Sequence, residues 1–115
     1  MIVRRLFDFE AAHQLPRHPG KCRNLHGHSY RLIVAVDRPV DPDSGLAIDF
    51  SDLKRVVKQV VVDPLDHSYV NEIIENPTAE VMAVWIWKRL AEALPGLTEI
   101  ELFETRNCSV VYRGE

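Results

Sequence analysis

Hydrophobic and polar residues alternate along two early segments of the chain, and this period of two predicts β-strands. The first strand is expected within Val3 to Leu15, and the second runs from His26 to Asp37. Apolar residues of the first segment share a face that ends at His13. Side chains two residues apart leave the same face of a strand, so His26 and His28 are expected to point the same way.

Two later segments have apolar residues at helical spacing. Asp49 is predicted to cap the first helix, and Asp63-Pro64 is expected to stop it. Its stripe consists of Phe50, Leu53, Val57 and Val60. Asn76-Pro77 supplies a cap and a first-turn proline for a longer helix that is expected to end near Pro95-Gly96. The stripe of that helix consists of Ala79, Met82, Ala83, Ile86, Leu90 and Ala93.

The tail predicts two more strands, Thr98 to Thr105 and Cys108 to Tyr112, joined as a hairpin through Arg106-Asn107. The order ββααββ indicates an α+β fold in one domain over residues 1–115, with a four-stranded antiparallel sheet and two helices on one of its faces. Apolar residues such as Leu6 and Phe103 fall on the other face. We expect that face to meet another subunit.

Composition narrows the class of function. The net charge of −3 argues against a general nucleic-acid or anionic-membrane surface, and no apolar run is long enough to span a bilayer. The first seven residues do not resemble a secretory signal, so a cytoplasmic protein with two free thiols is expected. From Ala11 to Val36 there is no acidic residue, whereas this window holds four basic side chains and four histidines. Such a surface suits a phosphorylated small molecule, although a solvated basic loop has the same composition.

Three histidines form a candidate metal site. His26 and His28 leave one strand face together, and His13 ends the neighbouring strand. Neutral imidazole is a good zinc ligand, and catalytic zinc sites use three protein ligands with a fourth position left open. The spacing therefore predicts a Zn²⁺ site formed by these three residues. His18 lies in a proline-bounded loop and is interpreted as a bystander.

Cys22 precedes the histidine pair by four residues and allows two interpretations. Positive charge from the nearby basic side chains and a metal would stabilise its thiolate and make it reactive. Alternatively, Cys22 is a fourth ligand that closes a structural site. Spacing alone does not decide between the two. Cys108, beside Val110 and Val111, is interpreted as a small packed residue.

Two further features are candidates for acid–base chemistry or recognition. Asp66-His67 pairs a carboxylate with an imidazole that can move protons near neutral pH. Glu104, near a strand end, could bind an N–C–N edge through two hydrogen bonds, as carboxylates bind guanidinium, or could be an exposed strand residue.

Several motifs, taken together and in order, resemble the 6-pyruvoyl-tetrahydropterin synthase family along nearly the whole chain. They are Phe9-Glu10-Ala11-Ala12-His13, Cys22-x-x-x-His26-Gly27-His28-Ser29-Tyr30, Leu65-Asp66-His67, Pro77-Thr78-Ala79-Glu80 and Glu104-Thr105. The three residues between Cys22 and His26 make the chain more similar to the bacterial branch, 6-carboxy-5,6,7,8-tetrahydropterin synthase, than to the pyruvoyl-forming animal enzymes.

The resemblance implies a tunnelling fold (T-fold) assembled as a homohexamer, a dimer of trimers with active sites at subunit interfaces. By the same resemblance, His13, His26 and His28 hold Zn²⁺, Cys22 is the general base, and Asp66 with His67 completes a proton relay from a neighbouring subunit. Glu104 anchors the pterin, assisted by Thr78 and Glu80. Glu80 could equally be a carboxylate that interacts only with the helix dipole.

The implied reaction is that of a zinc-dependent lyase. It converts 7,8-dihydroneopterin triphosphate to 6-carboxy-5,6,7,8-tetrahydropterin, with release of acetaldehyde and triphosphate, in 7-deazaguanine (queuosine) synthesis. Pyruvoyl formation or an aldolase-like removal of the side chain are alternatives within the family. Outside it, a zinc-stabilised assembly module or a silent pterin binder would carry the same motifs.

Overall fold

A computed structural model describes all 115 residues. Its strands and α-helices are β1 Ile2–His13, β2 His26–Asp37, α1 Phe50–Val57, α2 Asp63–Leu65, β3 Ser68–Tyr69, α3 Ala79–Ala93, β4 Leu97–Thr105 and β5 Cys108–Tyr112. Short 3₁₀ turns occupy Lys21–Arg23 and Val70–Glu72, and a π-helical segment, Lys58–Val62, joins α1 to α2. No helix combines the length and the apolar character that crossing a membrane requires.

The strands form one sheet in the order β3-β1-β2-β4-β5, and the pairs β1–β2, β2–β4 and β4–β5 are antiparallel. The β1–β2 register runs from Ile2 opposite Asp37 to His13 opposite His26. The α+β class, the strand at His26–Asp37 and the tail hairpin are therefore confirmed. Because β1 and β2 end together, the register places a histidine from each strand at the same end of the sheet.

The prediction of four strands is wrong, because the sheet has five. Ser68–Tyr69, for which no strand was predicted, pairs in parallel with β1 through Ala11 opposite Ser68 and Ala12 opposite Tyr69. Two residues are too few to show a period in the sequence. The pairing satisfies backbone groups on the outer edge of β1, and it fixes the segment that follows Asp66-His67.

Asp63-Pro64 does not stop the first helical stretch, which continues to Leu65. Pro64 lies in the first turn of α2, where a missing N–H leaves no intrahelical bond broken. The buried residues follow a spacing of four and are Leu53, Val57, Val61 and Leu65. A π-helical turn is wider than an α-helical turn and so keeps this spacing on one side, which buries Val61 more deeply than the predicted Val60. Phe50, predicted to belong to the stripe, is 61% exposed.

The long helix α3 is capped by Thr78, not by the predicted Asn76. The Thr78 hydroxyl accepts a hydrogen bond from the Val81 N–H at 3.1 Å. Four predicted stripe residues are buried against the sheet, namely Met82, Ala83, Ile86 and Leu90. Ala93 is exposed because the helix ends there, and the chain turns Leu94 back into the core.

The core lies between the helices and one face of the sheet. Strand residues on this face include Phe9, Tyr30, Leu32 and Ile100, each almost fully buried. On the opposite face Leu6 is 52% exposed. That face also carries ion pairs such as Arg31 with Asp8 at 3.1 Å. The helices therefore cover one face only, and contact of the other face with a second subunit stays a prediction.

Candidate metal centre and active site

The strand ends bring the three predicted histidines together. His13 and His26 are direct partners across β1 and β2, and His28 lies two residues further along the same face of β2. One ring nitrogen from each histidine lies within 4.8 Å of the other two. His13 is fully buried, and the side chain of His28 is 18% exposed. The backbone register alone is sufficient to create this cluster.

Backbone carbonyls orient two of the rings. The Nδ1–H of His13 donates to the Pro77 carbonyl at 2.9 Å, and the Nδ1–H of His26 donates to the Asn24 carbonyl at 2.7 Å. In a neutral imidazole only one nitrogen carries hydrogen, so both Nε2 atoms present lone pairs. These two Nε2 atoms lie 2.9 Å apart. Two lone pairs at this distance repel each other unless a cation lies close to both.

His28 adds a third free nitrogen, because its Nε2 is buried and has no hydrogen-bond partner. Burial lowers the pKa of His13 and of His28, and this outweighs the Glu104 carboxylate, which raises both. The two rings are therefore held in the neutral form that binds metals.

The donor set fits Zn²⁺. Three imidazoles, two of them with tautomers fixed by backbone carbonyls and the third with an unsatisfied buried nitrogen, match the ligands of a catalytic zinc site. Cys22 is not part of this cluster of mutually close ligand atoms. Three protein ligands leave a fourth position open for a substrate oxygen.

Glu104 connects the histidine cluster to a cavity. Its Oε1 lies 3.7 Å from His28 Nε2, and its Oε2 lies 4.0 Å from His13 Nε2. It shares the helix-facing side of β4 with Ile100 and Leu102, and its side chain is 26% exposed. Glu104 therefore faces the site and is not a freely exposed strand residue.

A cavity of about 430 Å³ lies beside Glu104 and collects four of the predicted site residues. Cys22, Thr78, Glu80 and Glu104 all line it. Cys22 is half-buried on the 3₁₀ turn Lys21–Arg23, whereas Thr78 and Glu80 come from the start of α3. The cavity thus joins a thiol, a hydroxyl and two carboxylates.

Cys108 lines the same cavity and is exposed. The prediction of a packed residue is therefore wrong. Cys108 is the first residue of β5 and follows the hairpin turn directly.

Asp66 and His67 form a hydrogen-bonded pair at the outer edge of β1. The His67 Nδ1–H donates to Asp66 Oδ1 at 3.0 Å, and the Glu10 N–H donates to the same oxygen at 2.9 Å. These hydrogen bonds, that from Glu10 first, lower the pKa of Asp66 and keep it ionised. His67 has φ of 59° and an 80% exposed side chain, so its ring is presented to solvent.

The Asp66–His67 pair is separate from Cys22 within one chain. His67 lines a different cavity, of about 470 Å³, together with residues of β1 and β2 such as Glu10 and Ser29. The two cavities have no lining residue in common. One chain therefore does not bring the predicted base and the predicted proton donor into a single cavity.

No role was predicted from the sequence for several groups around the site. The Tyr30 hydroxyl lies 3.3 Å from His13 Nδ1, and burial raises the pKa of this phenol. Asn71 holds the backbone of Gln14, accepting from its N–H at 2.9 Å and donating to its carbonyl at 2.8 Å. Such contacts join residues far apart in sequence, so no local pattern encodes them.

Comparisons of the sequence with known proteins all point to one family. The model of the family described as 6-pyruvoyl tetrahydropterin synthase matches residues 2–115. A 6-carboxy-5,6,7,8-tetrahydropterin synthase from Synechocystis sp. is 46% identical over 118 residues, covering 96% of this chain and 92% of that protein. The human 6-pyruvoyl tetrahydrobiopterin synthase is 36% identical over 107 residues, covering 84% of this chain and 72% of the human one.

A solved structure agrees with these sequence matches. The 6-pyruvoyl tetrahydropterin synthase of Caenorhabditis elegans superposes with a TM-score of 0.90 at 27% identity, covering 100% of this chain and 96% of that one. The resemblance read from the motifs and the T-fold it implied are both confirmed. Since the family model matches all residues except the first, and relatives at 46% and 36% identity cover most of the chain, this protein belongs to the 6-pyruvoyl tetrahydropterin synthase family.

Proposed function

We propose that this protein is a 6-carboxy-5,6,7,8-tetrahydropterin synthase. It would convert 7,8-dihydroneopterin triphosphate and one water to the carboxy product, with release of acetaldehyde and triphosphate, in the cytoplasm and for queuosine synthesis. The relative from Synechocystis bears the name of this activity. The observation that carries the proposal is the position of Glu104, which lines the cavity of Cys22, Thr78 and Glu80 and also approaches His13 and His28.

Glu104 would anchor the pterin. A pterin ring presents an N–C–N edge with parallel N–H donors, and a carboxylate accepts two such hydrogen bonds at once. The Thr78 hydroxyl oxygen already accepts from the Val81 N–H, so its own proton is available to a ring acceptor. Glu80, in the first turn of α3, would add a second carboxylate beside the ring.

His13, His26 and His28 would hold Zn²⁺ beside the bound pterin. When bound, Zn²⁺ supplies Lewis-acid chemistry, polarising the side-chain hydroxyl oxygens of the substrate so that the adjacent C–H becomes more acidic. The Cys22 thiolate would remove this proton, because Cys22 lines the same cavity as Glu104, which would hold the pterin. Triphosphate would then leave by elimination.

Asp66 and His67 would return a proton. Asp66 accepts from His67 Nδ1–H, which leaves His67 Nε2 as the atom that exchanges protons with substrate. The separation of the two cavities supports a site completed by a neighbouring subunit, whose His67 would face this chain's Cys22. We propose a homohexamer, a dimer of trimers, as the assembly.

The experiment that tests this function is product analysis. Zinc-loaded protein is incubated anaerobically with 7,8-dihydroneopterin triphosphate, products are identified by mass spectrometry, and acetaldehyde is assayed in parallel. We expect carboxy-tetrahydropterin and acetaldehyde in equal amounts. Cys22→Ala should abolish both, and Cys108→Ala is the matched control because it removes the other thiol of the same cavity. A pyruvoyl product or unchanged substrate would contradict the assignment.

A further inference from the structure

His18 was interpreted from the sequence as a bystander, yet it lines the cavity of Cys22 and Glu104. It lies in the loop between β1 and β2. Its N–H donates to the Leu15 carbonyl at 3.0 Å, and the Leu15 N–H donates to the Cys22 carbonyl at 2.8 Å. Leu15 is buried, so this pair of hydrogen bonds ties the position of His18 both to the core and to Cys22.

The tautomer of the His18 ring is set by its own loop. The Gly20 N–H donates to His18 Nδ1 at 2.9 Å. A ring nitrogen that accepts a hydrogen bond carries no hydrogen, so the proton of the neutral ring lies on Nε2. His18 therefore offers an N–H donor at its far end.

Glycine at position 20 allows this contact. A Cβ built at Gly20 would lie 3.2 Å from His18 Cε1 and 3.4 Å from Nδ1, which is closer than most Cβ contacts. Any larger residue would crowd the ring. The loop thus holds the imidazole of His18 in a defined position next to the cavity.

The lining of the cavity indicates which part of the substrate His18 meets. Two carboxylates, Glu80 and Glu104, line it, and no lysine or arginine does. A triphosphate would be repelled there, whereas an uncharged heterocycle would not. A pterin ring combines a donor edge, suited to Glu104, with carbonyl and ring-nitrogen acceptors. His18 is the only nitrogen donor among the side chains that line the cavity.

We propose that His18 is a further substrate-binding residue, which donates a hydrogen bond from Nε2–H to an acceptor atom of the pterin ring held by Glu104. This inference rests on the proposed function, and it adds a specific contact to the ring rather than to the phosphates. The contact fixes the rotation of the ring within the cavity, and hence the placement of its side chain beside the histidine cluster.

The test is a titration of the full-length, zinc-loaded protein with neopterin, a fluorescent pterin that lacks phosphates. We expect His18→Ala to raise the Kd about tenfold, the effect of one net hydrogen bond. His18→Gln carries an N–H₂ donor at a similar reach and should stay within about threefold of the wild-type chain. Arg17→Ala is the control, since it removes a neighbouring loop charge that does not line the cavity, and its Kd should be unchanged.

Two further measurements separate binding from structural damage. Bound zinc, measured by atomic emission, should be unchanged in His18→Ala, because the histidine cluster is intact. With 7,8-dihydroneopterin triphosphate, KM should rise by the same factor as the Kd for neopterin while kcat stays within about twofold. Equal neopterin affinity in the wild-type and His18→Ala chains would overturn this inference alone. Failure of the wild-type chain to bind neopterin would contradict the proposed function and this inference together.

Discussion

The Nε2 atoms of His13 and His26 face each other at 2.9 Å, and the opposite nitrogen of each ring is tied to a backbone carbonyl. Since the carbonyls of Pro77 and Asn24 determine the tautomers, the two lone pairs converge even without a ligand. His28 Nε2, buried and without a partner, completes the arrangement. The backbone therefore arranges the three nitrogens of the candidate metal site before any cation binds.

The first prediction concerns metal retention. His28→Ala removes one of three ligands, and we expect zinc affinity to fall by about 100-fold or more, because even outer-shell partners of metal ligands typically contribute 10–100-fold. Equilibrium dialysis against buffered zinc, followed by elemental analysis, measures this. His18→Ala is the matched histidine control and should retain the metal, since His18 is not in the cluster.

Cys22→Ala belongs in the same dialysis series. If Cys22 acts as the base, this variant keeps its zinc, because the cluster of close ligand atoms consists of the three histidines. Zinc loss equal to that of His28→Ala would instead identify Cys22 as a ligand, and would favour a structural zinc module over the proposed enzyme.

The second prediction is a pH dependence of the metal-free protein. Burial lowers the pKa of His13 and His28 in the folded state below the ordinary value of 6.5. As pH falls below about 6.5 the unfolded chain therefore binds more protons than the folded one, and the free energy of unfolding decreases. Urea unfolding of chelator-treated protein should give a lower midpoint at pH 5.5 than at pH 7.5.

Asp66 does not contribute in this window. Its pKa is lowered from 3.8, so the stability it provides is lost only at more acidic pH. Zinc-loaded protein is the control at pH 7.5, where the metal should raise the urea midpoint by binding the folded state. An identical midpoint of the metal-free protein at both pH values would show that the buried rings do not govern acid stability.

The third prediction concerns the Asn71 side chain, whose amide pairs with both backbone groups of Gln14 in place of a neighbouring strand. Asn71→Ala leaves a half-buried N–H and carbonyl unpaired, and should lower the free energy of unfolding by about 1–3 kcal/mol. Gln59→Ala, the loss of an exposed amide, should change it by less than about 0.5 kcal/mol. Urea denaturation measures both. Equal stability of the two variants would show that the Asn71 amide does not stabilise the backbone of Gln14.

Asn71→Ala should also reduce kcat. Leu15 follows Gln14 directly and donates a backbone hydrogen bond to the Cys22 carbonyl, so a displaced Gln14 would disturb the position of Cys22.

Features carried by a local period were predictable from the sequence. The alternation in His26–Asp37 gave a strand with the observed bounds, and the i, i+2 spacing placed His26 and His28 on one face. Features set by distant contacts were not. The strand Ser68–Tyr69 exists only through its pairing with β1, and the π-helical turn reflects the packing of Val61. His18 lines the cavity because hydrogen bonds with Gly20 and Leu15 position it, and the spacing of residues in the sequence does not predict these contacts.

The fourth prediction tests whether the site is shared between subunits. Cys22 and His67 line cavities with no residue in common, so two defective chains should complement each other if a neighbour supplies His67. Co-expression of Cys22→Ala and His67→Ala chains with different tags yields mixed oligomers. An interfacial site needs an intact Cys22 from one chain and an intact His67 from its neighbour, so random mixing should restore about a quarter of wild-type activity.

The matched pair for this experiment is Cys22→Ala with Glu104→Ala. Both residues line one cavity of one chain, so no mixed interface contains an intact copy of that cavity and activity should stay absent. If only the mixture of Cys22→Ala and His67→Ala recovers activity, then Cys22 and His67 of one active site come from different subunits. Absence of recovery in both mixtures, with mixed oligomers verified by sequential affinity purification, would instead require His67 to reach Cys22 within one chain. That would take a rearrangement of the Asp66–His67 segment away from Glu10, whose N–H donates to the Asp66 carboxylate and whose carbonyl accepts from the His67 N–H.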